Sequence, residues 1–493
     1  MYTLVGDSEQ ASERVCWHEG YLKVLWPDEE SWVYCGLYGE IIMELTVEKH
    51  AGVAEGRELA AMIQQCIDDV HAEGGGTVHL EPGVYPVTTL FMRSGVELHL
   101  MRGAVIQAWH QIDDYPDATL PPIFQYQPRA NLIAAIDCKD ISITGDGVID
   151  GQDLAFWDPC TSKDERPYGI FRYKVRGSMQ SRPSPLVQIV RCRNVRLDRV
   201  LVQAAPGWAV HVYDCDHVSI SGLTIRGHRF GPHTDGIGIN GSRDVRIMHC
   251  DVDTGDDAII VKSTDPGMEC RNITVTNCIV ASNCAGLGLG ADVYGSISDV
   301  IFSNCVVKKA LRMIQVEMWF PGQVQRAIFK GITGRTYPDE EIENERPIYV
   351  DIQEQKRPGG ELGSVQDLVF RDIVCESRGR ILLTAQDGAM IDGVTLDHVL
   401  VRVPEIEDPA TTVPASTSLQ LSNFSPLTRA ARAAVVADNV QRLTLRDVEY
   451  CWPEDATVRM HGLCIRNVSD MIEDSPRLCA THADVPRVLD VRG

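Results

Sequence analysis

The sequence predicts an all-β chain wound as a parallel β-solenoid, and three observations support this fold class. A polar residue followed by an alternating run of apolar residues returns many times along the 493 residues. Helical periodicity is nearly absent between residues 130 and 470, and several cysteines return at a fixed place in the repeat. Strands that recur without helices between them fit a solenoid, whereas a propeller needs about 40 or more residues per blade.

The repeat itself sets the length of one coil. Its copies begin at Asn194, His217, Asp244, Asn272, Asp299, Arg326, Asp367, Gly393 and Arg442. Successive copies begin 23, 27, 28, 27, 27, 41, 26 and 49 residues apart, and each alternates polar with apolar positions as a half-buried strand does. The steps of 41 and 49 residues indicate either coils with inserted loops or one missed coil.

Cysteines mark the register of these coils. Cys192 and Cys215 each precede a strand by two residues, and Cys250, Cys278 and Cys305 share a second register. In a solenoid, residues of one register stack about 4.8 Å apart along the axis. Because cysteine is a small and often buried hydrophobe, we predict stacked core thiols rather than disulfides.

The chain before the repeat has a different character. Residues 1–50 are rich in Trp, Tyr and Val and predict a small β-rich element. Glu55 to His71 predicts a helix with one apolar stripe, which Gly74-Gly75-Gly76 ends. This helix would cap the open end of the solenoid, where unpaired strand edges need cover. The predicted domains are therefore residues 1–50, the solenoid over 51–475 and a tail over 476–493.

Composition and short motifs exclude several classes of function. The chain carries 46 Lys+Arg and 69 Asp+Glu, so 46 − 69 gives a net charge of −23, which argues against general nucleic-acid binding. No Cys or His cluster has the spacing of structural zinc, and no run of about 18 apolar residues predicts a membrane helix. No secretory signal is visible, so we expect a cytoplasmic protein without a metal or other cofactor. A homo-oligomer is compatible with the sequence.

Two blocks that contain aspartate point to a chemistry. His233-Thr234-Asp235-Gly236 and, one coil later, Gly255-Asp256-Asp257-Ala258-Ile259 resemble the signature of glycoside hydrolase family 28, the polygalacturonase family. The family has Asn-Thr-Asp-Gly and Gly-Asp-Asp-Cys-Ile at these places. The blocks at residues 74–85 and 143–151 are similar to the first coils of right-handed parallel β-helix carbohydrate enzymes. The resemblance, over residues 52 to 400, implies that fold and the hydrolysis of a glycosidic bond.

Two further family blocks are not kept. The histidine of the family's Gly-His-Gly falls at Ala285, and its Arg-Ile-Lys falls at Gln315-Val316-Glu317. An alignment shifted onto Arg312-Met313-Ile314 keeps the arginine but not the lysine. In polygalacturonases these basic residues meet the substrate carboxylate. The resemblance therefore implies a glycan-active enzyme and leaves the sugar open.

The spacing of the aspartates suits hydrolysis of a glycosidic bond, which needs a carboxylic acid and a second carboxylate. Asp235 and Asp256 lie 21 residues apart, close to one coil, and Asp257 follows directly. Three carboxylates on one face should raise the pKa of at least one of them, as a general acid requires. By the resemblance, Asp256 is the general acid, Asp235 and Asp257 hold the water, and the anomeric configuration inverts. The alternative interpretation is that these residues only form turns between coils.

Six further residues are predicted to bind the substrate, namely His233, Lys262, Asp292, Gln315, Glu317 and Trp319. His233 replaces the family's asparagine and would hydrogen-bond the substrate or support Asp235. Gln315 and Glu317 would favour sugar hydroxyls over carboxylates if they face the cleft. The segment Tyr168 to Arg182 carries Arg172, Lys174, Arg176 and Arg182 and no acidic residue. It predicts either a cleft wall for an acidic sugar or a solvated loop.

Two other classes of function stay open. A polysaccharide lyase or a glycan-cyclising transferase would share the fold. A lyase would need a base beside a carboxylate, often with calcium, and the lost basic block disfavours it. The third hypothesis is a non-catalytic solenoid that binds glycans. It predicts that Asp256→Asn leaves sugar binding unchanged, whereas a hydrolase loses turnover.

Overall fold

The computed structural model describes residues 14–18, 21–25, 32–36, 43–47, 55–116, 130–166, 171–336, 345–354, 360–406, 408–409 and 430–491. The chain divides into two compact units. The first comprises Met1–Asp158 and Val175–Arg226, and the second comprises Pro159–Lys174 and Gly227–Gly493.

The helices are α1 (Arg57–Ala72) and α2 (Asp153–Phe156), and single 3₁₀ turns lie at Ile112–Asp114 and Lys163–Glu165. The strands as far as Arg226 are β1 (Arg14–His18), β2 (Tyr21–Leu25), β3 (Trp32–Gly36), β4 (Met43–Val47), β5 (Gly76–Leu80), β6 (Gly83–Val87), β7 (Leu90–Phe91), β8 (Val96–Leu100), β9 (Ala104–Ala108), β10 (Ile133–Ile136), β11 (Lys139–Gly145), β12 (Val148–Asp150), β13 (Trp157–Pro159), β14 (Tyr173–Val175), β15 (Val187–Val190), β16 (Arg193–Asp198), β17 (Leu201–Gln203), β18 (Val210–Tyr213), β19 (Asp216–Ser221) and β20 (Thr224–Arg226).

The coils of the first unit build three parallel stacks of strands. The first stack runs β5–β8–β11–β16–β19, the second β6–β9–β12–β17–β20 and the third β7–β10–β15–β18. Ahead of them, β1 to β4 pair antiparallel in chain order, and β4 joins β5 in parallel. Stacked parallel strands from successive coils are the arrangement of a parallel β-helix.

The second unit continues with β21 (Ile237–Asn240), β22 (Arg243–Met248), β23 (Asp251–Asp253), β24 (Ile259–Ser263), β25 (Glu269–Thr276), β26 (Ile279–Ala281), β27 (Ala285–Val293), β28 (Ser296–Ser303), β29 (Val306–Ala310), β30 (Arg312–Met318), β31 (Gln323–Thr336), β32 (Arg346–Ile352), β33 (Ser364–Glu376), β34 (Ile381–Ala385), β35 (Ile391–Arg402), β36 (Ala433–Cys451), β37 (His461–Ser469), β38 (Ile472–Asp474) and β39 (Val488–Asp490).

These strands also stack in parallel, and the site described below lies at one of the stacks. That stack runs β21–β24–β27–β30–β32–β34–β36–β37–β39. A second runs β22–β25–β28–β31–β33–β35–β36, and the short β23, β26 and β29 form a third side, which the far ends of the long strands continue. The predicted all-β parallel solenoid is confirmed.

The register of the strands decides how the two long steps of the repeat arise. Ala327 pairs directly with Leu368, and Val394 pairs directly with Leu443. Each long step is therefore one coil that carries inserted residues, and no coil was missed between them. Part of each insertion lies outside the described residues.

The backbone conformation explains why a polar residue opens each repeat. These residues turn the chain with φ between 52° and 58° at Asp140, Asn194, His217, Asp244, Asn272, Asp299, Arg326, Asp367 and Arg442. Asn and Asp tolerate this left-handed conformation better than other side chains do. Neighbouring turns also bond to each other, since Asn272 Nδ2 donates to Asp244 Oδ1 at 2.9 Å.

Inside the coils, like residues stack in ladders. The predicted cysteine registers are confirmed as buried free thiols at Cys192, Cys215, Cys250, Cys278 and Cys305. The second unit also contains a ladder of aromatic rings, formed by Phe302, Phe329 and Phe370. The centroids of successive rings lie 4.8 and 5.3 Å apart. All three phenylalanines are fully buried, so the ladder forms a continuous apolar column.

The helix ahead of the coils agrees with its prediction. It spans Arg57–Ala72, buries the predicted stripe except the half-buried Met62, and packs against β4 to β8. Gly75 N donates to Val70 O at 2.9 Å where the helix ends. Among the described residues, no helix is long and apolar enough to cross a membrane. The domain boundaries at residues 50 and 475 stay a prediction.

Candidate active site

Strand register brings the predicted aspartates together within the second unit. Asp235 immediately precedes Gly236 and β21, and Asp257 lies two residues before β24. Ile237 pairs with Ile259, and Gly236 N donates to Asp257 O at 2.8 Å. The coil step here is 22 residues, so the neighbour of Asp235 on the next coil is Asp257. The spacing of 21 residues had predicted Asp256 there.

The glycines of both blocks are required by close backbone approach. A Cβ on Gly255 would lie 2.5 Å from the carbonyl oxygens of His228 and Arg229. A Cβ on Gly236 would collide with the carbonyl oxygen of Ala258. Contacts this short are forbidden to real side chains, so only glycine lets the loop that carries Asp235 lie on the turn that carries Asp256.

Buried hydroxyl groups hold these two turns in place. Thr234 Oγ1 accepts a hydrogen bond from Gly255 N at 3.0 Å. Thr254 Oγ1 and Ser282 Oγ both donate to the carbonyl oxygen of Asp256, at 2.8 and 2.6 Å. Because all three hydroxyl side chains are buried, these bonds fix the backbone from which the aspartate side chains project.

The three carboxylates differ in exposure and in partners. Asp235 is 5% exposed and Asp257 is 7% exposed, whereas the Asp256 side chain is 16% exposed. Asp257 Oδ1 accepts from Ala285 N at 3.3 Å, and Asp256 Oδ1 accepts from Asp257 N at 3.0 Å. Among the described residues, Asp235 Oδ1 has no hydrogen-bond partner. Asp256 is therefore the carboxylate of the three with most access to a ligand.

Burial and mutual repulsion raise the pKa of these carboxylates, whereas His233 and Lys262 lower it. Burial, and then the charge of Asp256, raise the pKa of Asp235 well above its usual range and raise the pKa of Asp257. Burial would also raise the pKa of Asp256, but the hydrogen bond and charge of His233, with Lys262, outweigh it and the pKa is lowered. The expectation of at least one raised pKa is confirmed, at Asp235 and Asp257 rather than at Asp256.

Lys262 supplies a cation beside these acids. Its Nζ lies 3.5 Å from Asp292 Oδ2, and only 12% of its side chain is exposed. Burial would lower the pKa of Lys262, but Asp292 and the three catalytic candidates raise it above the ordinary value. Lys262 therefore stays charged, and the structure pairs it with Asp292, a contact that the sequence did not predict. The role of both residues in binding substrate stays a prediction.

His233 contacts Asp256. The sequence analysis had predicted that it would hydrogen-bond the substrate or support Asp235. Its Nδ1 lies 3.6 Å from Asp256 Oδ2, and its side chain is 23% exposed. Its backbone has φ of 53°, a conformation that suits the family's asparagine. The buried ring of Phe171 packs on the imidazole with the centroids 5.4 Å apart. Phe171 and His233 thus form the wall of the site next to Asp256.

Strand β30 and the residue after it carry the remaining predicted substrate-binding residues, which lie around Arg312. The sequence analysis had not assigned Arg312 to the site. Gln315 and Glu317 are 2% and 1% exposed. Arg312 Nη1 donates to Gln315 Oε1 and lies 3.3 Å from Glu317 Oε2. Trp319 is half-buried, and its Nε1 donates to Glu317 Oε1 at 2.9 Å. Gln315 and Glu317 are therefore bonded within the protein and do not line an open surface.

Comparison with known proteins decides the family. The profile described as "Glycosyl hydrolases family 28" matches residues 123–419, more than half of the chain. The chain belongs to glycosyl hydrolases family 28. This confirms the predicted family.

Relatives in family 28 are distant in sequence. The chain is 22% identical over 363 residues to an endo-polygalacturonase of Pectobacterium parmentieri, covering 70% of this chain and 85% of that protein. It is 24% identical over 307 residues to a probable polygalacturonase of Vitis vinifera, covering 58% of this chain. That alignment covers 59% of the Vitis protein, so the chain spans about three fifths of this relative's length.

Solved structures confirm the fold. The family 28 exopolygalacturonase of Yersinia enterocolitica superposes with a TM-score of 0.64 at 17% identity, covering 92% of this chain and 83% of that one. An exopolygalacturonase of Thermotoga maritima gives 0.55 at 20% identity, covering 82% and 87%. The predicted right-handed parallel β-helix is therefore confirmed.

A thiol lies beside the candidate catalytic carboxylates, and it belongs to Cys284, the residue before Ala285. Cys284 places Sγ within 4.8 Å of carboxylate oxygens of Asp256 and Asp257, a group that could in principle hold a metal ion. Burial, and then Asp257, raise the pKa of the Cys284 thiol well above its usual range. A thiol that keeps its proton is a poor metal ligand, so the geometry favours an S–H donor to Asp257. Sequence reasoning did not assign Cys284 to the site because the family pattern has a glycine at this position.

The cations of the insertion are engaged by the protein itself. The Arg172 guanidinium lies 3.7 Å from the centroid of the Phe230 ring. Lys174 Nζ lies 3.2 Å from Glu165, and Arg176 Nε lies 3.0 Å from Asp158. These partners argue against a cationic wall that awaits an acidic sugar. They also show that the three side chains are bonded within the protein rather than only solvated, as the alternative had it.

Proposed function

We propose that the protein hydrolyses a glycosidic bond of a pectin-type polysaccharide or oligosaccharide with inversion at the anomeric carbon. The observation that carries the proposal is the patch formed by Asp235, Asp256 and Asp257 at the ends of two neighbouring coils. The names of the relatives support a pectin-type substrate. The loss of the family's basic positions and the pairing of Lys262 with Asp292 support a sugar unit without a free carboxylate next to the cleaved bond.

In the proposed step, Asp256 gives its proton to the glycosidic oxygen while that oxygen leaves the anomeric carbon. A water held by Asp235 and Asp257 attacks the carbon from the opposite face and passes its proton to one of them. A general acid needs a raised pKa to hold its proton at the start of the step, and the lowered pKa of Asp256 runs against this role in the free enzyme. The raised pKa values of Asp235 and Asp257 likewise favour their protonated forms over the carboxylates that hold water. The assignment of roles therefore rests on the family pattern and on the exposure of Asp256 to a ligand.

The test of function is an assay of reducing ends on polygalacturonate, methyl-esterified pectin and oligosaccharides from the neutral and branched regions of pectin. We expect release of reducing sugar, greatest on a substrate whose cleaved unit lacks a free carboxylate. Products that absorb in the ultraviolet through a new double bond, or activity lost on adding a chelator, would instead identify a lyase. Sugar binding without any turnover would leave a non-catalytic solenoid.

The contact between His233 and Asp256 gives a prediction about pH dependence. His233→Asn removes a hydrogen bond and a positive charge that lower the pKa of Asp256, so that pKa rises in the variant. If Asp256 is the proton donor, activity requires its protonated form. The alkaline limb of the kcat/KM profile then moves to higher pH, measured on the best substrate over a pH series. A shift of the acid limb would show that Asp256 acts as the base.

We further propose a cytoplasmic protein that acts without a metal or other cofactor and binds neither nucleic acid nor membranes. The net charge of −23 supports the absence of a nucleic-acid partner. A homo-oligomeric state stays a prediction, which the mass of the protein in solution would test.

A further inference from the structure

We propose that Glu317 is a positioning residue of the active site, which sets the Trp319 ring with one carboxylate oxygen and the Arg312 guanidinium with the other. The inference rests on the proposed function, because it assigns a role within the same hydrolytic site. Only 1% of Glu317 is exposed, so its carboxylate is covered by protein. It therefore acts on the reaction through neighbouring protein groups and not by contact with the substrate.

The first of the two side chains that Glu317 contacts is Trp319, whose ring is partly exposed. Trp319 Nε1 donates to Glu317 Oε1 at 2.9 Å, and Trp319 N donates to Ala291 O at 3.1 Å. The indole has a single N–H donor and no acceptor, so this bond fixes the rotation of the ring. Because the ring is half-buried, its exposed part is available to stack on the apolar face of a sugar.

The second side chain carries a buried charge toward the catalytic carboxylates. Arg312 is 6% exposed, and its Nη1 lies 3.3 Å from Glu317 Oε2. Burial would lower the pKa of Arg312, but Cys284, Glu317 and Asp257 among its neighbours raise it. Arg312 is the register partner of Ala285, whose N donates to Asp257 Oδ1 at 3.3 Å, so strand register places Arg312 next to the residue that bonds Asp257. A buried charge without its partner is strongly unfavourable, so the position of Arg312 depends on Glu317.

The charged groups around Asp257 and Glu317 determine whether a substitution raises or lowers the pKa of Asp257. The charges of Asp235, Asp256, Lys262 and Arg312 act on Asp257, and Cys284 forms a hydrogen bond with it. The groups that act on Glu317 are Arg312, Asp257, Asp292 and Asp351. Burial, and then Glu317, raise the pKa of Asp351 well above its usual range. Burial also raises the pKa of Glu317, and the charge of Arg312 opposes this rise. An ionised Glu317 offsets the charge of Arg312, so removing Glu317 exposes Asp257 to that charge.

Two single variants separate the two contacts. Glu317→Gln keeps an acceptor for Trp319 but removes the negative charge, so we expect kcat to fall about tenfold or more while KM changes little. The limb of the pH profile that Asp257 governs moves to lower pH, because Arg312 then faces Asp257 without a counter-ion.

Trp319→Phe keeps the ring but loses the N–H, so we expect KM to rise and the pH profile to stay in place. Glu269→Gln, at an exposed position of β25, is the control.

A double variant keeps the test decisive where the single charge deletion fails to fold. Arg312→Met combined with Glu317→Gln removes both charges and leaves the Trp319 acceptor. Since Arg312 lowers the pKa of Asp257, this variant moves the same limb to higher pH, opposite to Glu317→Gln. A limb that stays in place in both variants, or equal changes of KM and kcat in Glu317→Gln and Trp319→Phe, would overturn the proposal.

A readout without turnover distinguishes this inference from the proposed function. Carbon-13 NMR of labelled aspartate carboxyl groups, with Asp257 assigned through Asp257→Asn, follows its titration directly. We expect a lower midpoint in Glu317→Gln and a higher midpoint in the double variant, whether or not any glycan is cleaved. If no glycan releases reducing ends in the assay, the proposed function alone is contradicted. If the titration midpoint of Asp257 is unchanged in both variants, the role of Glu317 alone is contradicted.

Discussion

Asp256→Asn should lower kcat by about 10²–10⁴-fold, the usual contribution of a positioned proton donor. Asparagine keeps the size of the side chain and its acceptor for Asp257 N, but it has no proton to give to the glycosidic oxygen. The variant is expected to fold normally, because Thr254 and Ser282 bond to the backbone carbonyl of residue 256 and not to its side chain. The measurement is initial rate against substrate concentration on the best substrate of the reducing-end assay.

The matched control for this variant is Asp244→Asn. Asp244 sits at a left-handed turn of the same unit, with φ of 54°, where asparagine is equally suited. It opens a coil outside the catalytic patch, so we expect rates within about twofold of the unmodified protein, as for a surface change of about 0.4 kcal/mol or less. Turnover by Asp256→Asn at a level close to that of this control would rule out Asp256 as the donor.

Phe329→Ala should destabilise the protein by about 3–5 kcal/mol, the range for truncating a buried phenylalanine. Phe329 is fully buried and stacks between Phe302 and Phe370, so the substitution opens a gap in the middle of the ladder. Coils of a solenoid are stabilised mainly by their neighbours, and a gap therefore weakens both adjacent interfaces. The loss is read from the shift in denaturant midpoint of the unfolding transition that includes the second unit.

Lys330→Ala serves as the control for this variant. Lys330 is the next residue on β31 and is exposed, so its truncation should change the free energy of unfolding by less than about 0.5 kcal/mol. A loss of about 1 kcal/mol or less for Phe329→Ala would mean that the stacked rings are not a supporting column of the fold.

The coil architecture was predictable because it depends on local rules that repeat along the chain. Left-handed turns select Asn and Asp, buried positions alternate, and a small ladder residue such as cysteine recurs in register. Where an insertion interrupts the spacing, the signal fails. The copy that begins at Asp140 was missed because 54 residues separate it from Asn194, although Asn194 Nδ2 bonds directly to Asp140 Oδ1.

The site was predictable as a set of residues but not as a set of contacts. The two aspartate blocks come together as expected, yet a coil step of 22 rather than 21 residues makes Asp257, not Asp256, the register neighbour of Asp235. The lowered pKa of Asp256 arises from His233, which approaches from a separate loop. Such contacts depend on side-chain direction, which spacing along the chain does not encode.

The most direct test of the central claim is the anomeric configuration of the first product, followed by proton NMR from the first seconds of hydrolysis. The claim is that Asp235 and Asp257 activate water for a single displacement while Asp256 protonates the leaving oxygen. It predicts that the new reducing end appears in the anomeric form opposite to that of the cleaved bond, before mutarotation mixes the two. A first product with the configuration of the cleaved bond would contradict the account, because retention requires one carboxylate to attack the sugar itself.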